Sequence, residues 1–158
     1  MSDLETLLKR LVANRVEFVI VEGYAAVAHG VTLVTRDVDI CCRFSSKNLL
    51  NLQRAVRDLH PVHRQTPQQI PSEMTSKNCA RWKNLYLKTD LGVLDCLSEV
   101  SGVGKFATVL KESVVVDLGF GKCRILKLEA LIKAKEAMGR PHDKETVVQL
   151  REIQKRIR

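Results

Sequence analysis

Aromatic residues are scarce in this chain: they fill 4% of its 158 positions, and only one is tryptophan. So few rings exclude a single-strand-binding platform built from a row of stacked aromatics. No run approaches the roughly 20 apolar residues that cross a bilayer. The opening Met1-Ser2-Asp3-Leu4-Glu5 lacks the basic stretch of a secretory signal. Together these absences predict a cytoplasmic protein with no membrane partner. The five cysteines (Cys41, Cys42, Cys79, Cys96, Cys123) are odd in number and show no C-x-x-C spacing, which argues against a zinc site or a disulfide framework. Three of them lie in apolar, strand-like runs, where cysteine packs as a small hydrophobe. With no repeat, low-complexity tract or linker, one domain is expected over 1–158, its core over about 1–126 and two closing helices over about 127–158.

What the chain does have is positive charge, a net +8 with a pI near 9.4. Such an excess favours polyanionic partners such as RNA or nucleotide phosphates. It is also what many solvated surfaces carry, and part of it (Arg151, Lys155, Arg156, Arg158) suits the C-terminal end of a helix dipole.

Hydrophobic spacing sets the order of the secondary structure. Leu4, Leu7, Leu8, Leu11 and Val12 predict an amphipathic helix that ends near Asn14. Glu17 to Val21 reads as a buried strand, and Tyr24 to His29 as a short helix ended by Gly30. Asp37 to Cys41 alternates strictly, with Asp37, Asp39 and Cys41 on one face and Val38 and Ile40 on the other. Ser45-Ser46 offers an N-cap to a helix striped by Leu49, Leu52, Val56 and Leu59. The polar stretch from His60 to Asn78, with Pro61, Pro67 and Pro71, is expected to be a long loop. Asn84 to Lys88 and Val93 to Leu97 flank hairpin chemistry at Thr89-Asp90-Leu91-Gly92. A short helix near Gly104 to Lys111, a strand pair at Val114 to Leu118 and Cys123 to Leu126, and two helices complete an α/β (α+β) fold. Its expected form is a mixed sheet flanked by helices.

Three acids stand out. Strand periodicity places Asp37 and Asp39 together on one face, where two like charges repel and favour a shared cation. Oxygen-only ligands suit Mg²⁺ or Mn²⁺. Asp95 lies within the apolar run Val93-Leu94-Asp95-Cys96-Leu97, where an acid needs a partner. The plainer alternative puts Asp37 and Asp39 on a solvated strand edge and pairs Asp95 with a basic residue. Gly23, which turns the chain into a short helix, adds backbone N–H groups of the kind that meet phosphate. Taken together, these features describe phosphoryl or nucleotidyl transfer.

The run Phe18-Val19-Ile20-Val21-Glu22-Gly23-Tyr24-Ala25-Ala26-Val27-Ala28-His29-Gly30, followed by Thr35-Arg36-Asp37-Val38-Asp39-Ile40, resembles the signature of the polymerase-β-like nucleotidyltransferase superfamily. It is closest to the small bacterial AbiEii-like and minimal nucleotidyltransferases, some of them toxin–antitoxin components. The resemblance implies that Asp37, Asp39 and Asp95 bind the metals and act in catalysis, Asp95 also helping to deprotonate the acceptor. It implies that Gly23 and Tyr24 meet the nucleotide at the turn. The tail, Leu131-Ile132-Lys133-Ala134-Lys135 and Gly139-Arg140-Pro141-His142-Asp143, resembles the family's C-terminal helical pair. Lys135 would then touch phosphates, and Arg140 and Asp143 would order the cleft or face the nucleotide. The implied partners are an NTP and an acceptor hydroxyl on RNA (a tRNA end) or a protein. Two positions depart from the pattern: Glu22 replaces the first glycine of the family's pair, and Leu33 stands where relatives often carry arginine. A carboxylate about 4 Å from triphosphate costs about 1 to 4 kcal/mol, depending on burial. The alternative expectation is therefore a catalytically degenerate module of the same fold that binds a nucleotide or a partner. His29, at a helix end before a glycine, reads either as a nucleotide contact or as a cap for carbonyls, the structural role being the favoured one. Arg36 reads as a surface or supporting charge, Asp90 as a turn residue, and Arg81-Trp82-Lys83 as either a substrate contact or a hydrophobic anchor.

Overall fold

The computed structural model describes residues 1–157; Arg158, the last of the basic C-terminal run, lies outside them. The Ser2 hydroxyl accepts the Glu5 N–H and starts α1 (Asp3–Ala13), which buries Leu4, Leu7, Leu8 and Leu11. Val12, expected on this apolar face, is 37% exposed, because it falls about a quarter of a turn from the centre of the leucine stripe. The chain continues through β1 (Phe18–Ile20), α2 (Gly23–Ala28) and β2 (Asp37–Cys42) to α3 (Ser46–Val56), where Ser45 caps the Asn48 N–H.

The expected loop from His60 to Asn78 is more structured than its composition suggests. It contains β3 (Val62–His63), which pairs with β4 (Asn84–Thr89), and an isolated bridge joins Val62 to Pro71. Gln53 on α3, 7% exposed, donates to Ser72 O at 3.2 Å and accepts the Met74 N–H at 3.3 Å, which fixes the returning arm. The predicted hairpin joins β4 to β5 (Gly92–Leu97). A small ribbon of β6 (Glu99–Val100) and β7 (Gly104–Lys105) then precedes α4 (Phe106–Lys111), so the helix expected from Gly104 begins at Phe106. Strands β8 (Ser113–Asp117) and β9 (Lys122–Leu126) pair as expected. Helix α5 (Leu128–Met138) ends at Gly139, whose φ of 62° is the left-handed conformation of a helix stop, and α6 (Pro141–Ile157) opens on proline.

Seven strands form one mixed sheet in the order β3-β4-β5-β2-β1-β9-β8. Strand β2 runs parallel to β5 and antiparallel to β1, and β1 runs parallel to β9. Helices α1, α2 and α4 pack on β2, and the centre of the sheet (Val19, Ile20, Val38, Ile40, Leu94, Cys96) is buried. All five cysteines are buried and unbridged. No helix among the described residues is long and apolar enough to cross a membrane.

Candidate active site

Strand register assembles the site. Parallel pairing sets Asp39 on β2 opposite Asp95 on β5, and antiparallel pairing sets Tyr86 on β4 opposite the same Asp95. Paired residues on adjacent strands project to the same face. The Arg64 N–H donates to Tyr86 O at 3.0 Å and adds a fourth residue just past β3. Asp39, Asp95, Tyr86 and Arg64 thus form one row across the sheet, with Asp37 two residues before Asp39 on the same face. Because β1 runs against β2, its end lies beside the start of β2: the Val21 N–H donates to Asp39 O at 3.0 Å, bringing Glu22 and Gly23 next to the carboxylates. Lys135, Met138 and Arg140 close the other wall of a cleft of about 880 Å³.

Most of the charge in this cleft is paired. Arg64 forks onto Asp95, Nε to Oδ1 at 3.0 Å and Nη2 to Oδ2 at 2.5 Å, while its guanidinium lies 5.4 Å from the centre of the Tyr86 ring. The fork raises the Arg64 pKa further, chiefly through its hydrogen bond to Asp95. Lys135, 5% exposed, is ion-paired with Glu22 and lies 3.5 Å from Asp143 Oδ1. Asp143, fully buried, accepts from Arg140 Nε at 2.6 Å, from Nη2 at 3.1 Å and from the Arg140 N–H at 3.2 Å. Burial opposes ionisation of Asp143, but the Arg140 hydrogen bond and the Lys135 charge outweigh it and hold the carboxyl below the usual range.

Asp37 and Asp39 differ from the others. No hydrogen bond or ion pair reaches either carboxylate among the described residues. Burial, followed by the charges of Asp95, Glu22 and Asp37, pushes Asp39 up to about 7. A half-buried carboxyl held so far above its ordinary range needs either a proton or a cation. Two adjacent carboxylates open to a polar cleft fit a hard divalent cation. Among the described residues no three of His, Cys, Asp and Glu converge to hold a metal. The donors on offer are therefore Asp37 and Asp39, since both oxygens of Asp95 are engaged by Arg64.

The expected site residues divide into three groups. Asp37, Asp39, Asp95, Gly23, Lys135 and Arg140 all line the cleft. Asp143 sits behind it, fully buried, and orders Lys135 and Arg140. Tyr24 instead lines a separate depression of about 410 Å³ with Asp3, Thr35 and Arg36 and is not part of the cleft lining. At Gly23 a Cβ would lie 2.9 Å from Thr35 Oγ1, and that close approach is what the glycine permits. Leu33 and Arg36 stand at the rim. His29 Nε2 makes a 2.6 Å hydrogen bond with Leu126 O, the structural role expected of it. Trp82 stacks on His63 with ring centres 4.7 Å apart, and its buried indole N–H has no partner among the described residues. Asp90 accepts from His60 Nδ1 at 2.6 Å in the turn.

The sequence did not single out Arg64, and it did not foresee Lys135 as the partner of Glu22. An acid within the apolar run of β5 does predict a basic partner for Asp95, as the plainer alternative held. Nothing local says which of 26 basic residues supplies it. Comparison with protein-family models and with curated proteins finds no match for this chain.

Proposed function

We propose that this protein is a nucleotidyltransferase that moves a nucleoside monophosphate from an NTP onto an acceptor hydroxyl. The observation that carries this reading is the unpartnered pair Asp37 and Asp39, set beside Asp95 in strand register at the floor of a cleft of about 880 Å³. Mg²⁺ or Mn²⁺ held by Asp37 and Asp39 would neutralise the phosphates and orient them for in-line attack. The acceptor oxygen bonds to the α-phosphorus, the bond from that phosphorus to the pyrophosphate oxygen breaks, and the hydroxyl proton leaves to a carboxylate of the row. Arg140 and Arg36 supply positive charge at the mouth for phosphate oxygens. The cleft volume lies within the range of small-molecule sites, roughly 300–1,000 Å³. The excess basic charge favours RNA as the acceptor over a protein.

One observation favours a second reading, a nucleotide- or partner-binding module without catalysis. Lys135 is held by Glu22, so the family's phosphate-facing lysine is neutralised from within the chain. Titration calorimetry of each NTP with Mg²⁺ or Mn²⁺, on wild type and on Asp37→Ala/Asp39→Ala, tests both readings. The transferase reading expects metal-dependent binding that the double variant loses, followed by incorporation of α-labelled nucleotide into RNA. Absence of binding to wild type sinks it. Binding without any transfer leaves the module.

A further inference from the structure

Charge balance within the cleft limits how many cations it takes. Each of three carboxylates there has a basic partner of its own: Glu22 has Lys135, Asp95 has Arg64, and Asp143 has Arg140. Glu99 and Arg36 also line the cleft, without an ion pair among the described residues, and their opposite charges cancel in the sum. Asp37 and Asp39 are left over, and one divalent cation balances them.

We propose that Arg64 occupies the place a second cation would take, so that the centre works with a single divalent cation on Asp37 and Asp39 and a guanidinium on Asp95. This inference rests on the transferase reading above and goes beyond it. The two N–H···O contacts, at 3.0 and 2.5 Å, use Nε and Nη2 and engage both oxygens of Asp95. The fork takes one lone pair on each oxygen of Asp95 and neutralises its charge, which makes it a poorer metal ligand than Asp37 and Asp39. The Nη1 group makes no hydrogen bond among the described residues, and the Arg64 side chain is 32% exposed at the cleft, so its remaining donors can meet a phosphate oxygen.

The arginine is also held in position. Its own N–H is bonded to Tyr86 O at 3.0 Å, the His63 N–H to Ile70 O at 2.8 Å, and the Ser72 N–H to Pro61 O at 2.8 Å. These bonds tie both arms of the segment that carries it. Its guanidinium further rests over the Tyr86 ring. Arg64 therefore belongs to a structured edge of the sheet and not to a free loop that would leave when a cation arrived.

The test counts cations without relying on turnover. Mn²⁺ is titrated into the full chain with an α,β-methylene nucleoside triphosphate, each of the four bases in turn, and followed by electron paramagnetic resonance. In a two-cation centre the ions lie roughly 3.5–4 Å apart and couple magnetically. Wild type is expected to show one bound, isolated Mn²⁺ per chain. Arg64→Ala is expected to release Asp95 and give a coupled pair. Arg64→Gln, neutral and close in length, should do the same and stands in if the alanine variant does not fold. Arg64→Lys keeps the charge and should remain at one. A coupled pair in wild type, or an isolated ion in folded Arg64→Ala and Arg64→Gln, overturns the inference and leaves the transferase reading standing. No bound Mn²⁺ in wild type with any analogue overturns both.

Discussion

The Lys135 ammonium sits between two carboxylates, ion-paired with Glu22 and 3.5 Å from Asp143 Oδ1. Glu22 enters from the end of β1, and Lys135 and Asp143 come from the two C-terminal helices. The contact therefore joins the sheet to the closing helices across the cleft wall. A lysine 5% exposed is tolerated there because two acids surround it.

Removing Glu22 should free that lysine for phosphate. Glu22→Gly is expected to tighten Mg²⁺–NTP binding by about tenfold, or about 1.4 kcal/mol, in titration calorimetry. Lys135 stays folded in because Asp143 still holds it. Lys135→Met, by contrast, strands Glu22 without its cation, while Asp143 keeps Arg140, and should lower stability by about 3–5 kcal/mol in urea unfolding. Unchanged nucleotide affinity in Glu22→Gly would mean that Lys135 does not meet phosphate.

Asp39 makes stability depend on pH. Its folded-state pKa, pushed up to about 7, lies above the unfolded value of about 4, so the folded state binds the extra proton. The Asp39 contribution to stability, read in the presence of a chelator, should be full below pH 4, decline as pH rises, and level off above about 7. The ceiling on this loss is on the order of 4 kcal/mol, and water in the cleft brings the expected loss to about 2. Asp39→Asn should flatten the profile and stabilise the protein at pH 8. Added Mg²⁺ should recover stability at pH 8 in wild type but not in Asp39→Asn. Urea titrations at pH 5 and pH 8 read all three effects.

How much of this was legible beforehand follows from how local each signal is. The alternation of Asp37-Val38-Asp39-Ile40, the Ser45 cap and the Thr89 to Gly92 turn are properties of a few adjacent residues, and each lies where expected. The meeting of Asp39 with Asp95 needs β2 and β5 to pair in one register out of several, which two separate apolar runs do not specify. Arg64 was hidden because its segment is polar and proline-punctuated, which reads as loop. Its two-residue strand exists only because β4 offers an edge. The Glu22–Lys135 pair spans 113 residues and has no local trace at all.

His29 tests whether the α2 segment is structural or part of the nucleotide site. Its ring bonds to Leu126 O at the end of β9, outside the cleft lining. His29→Ala should cost about 1 kcal/mol of stability and leave nucleotide affinity unchanged. A loss of affinity without a loss of stability would move His29 into the site.

Gln53 offers a way to loosen Arg64 without touching it. The Gln53 amide accepts the Met74 N–H at 3.3 Å and donates to Ser72 O at 3.2 Å, tying the arm that returns from β3 to helix α3. Gln53→Leu removes both contacts and leaves a buried donor and acceptor unsatisfied, for an expected loss of about 2–3 kcal/mol. Hydrogen exchange should then speed up over residues 61–78, while the β2 and β5 amides stay protected. If Arg64 grips Asp95 because its segment is anchored, the same variant should weaken that grip and admit a second Mn²⁺ at high concentration, a milder form of the Arg64→Ala result. Faster exchange over 61–78 with the cation count unchanged would show that the pairing of Arg64 with Tyr86 holds the fork by itself.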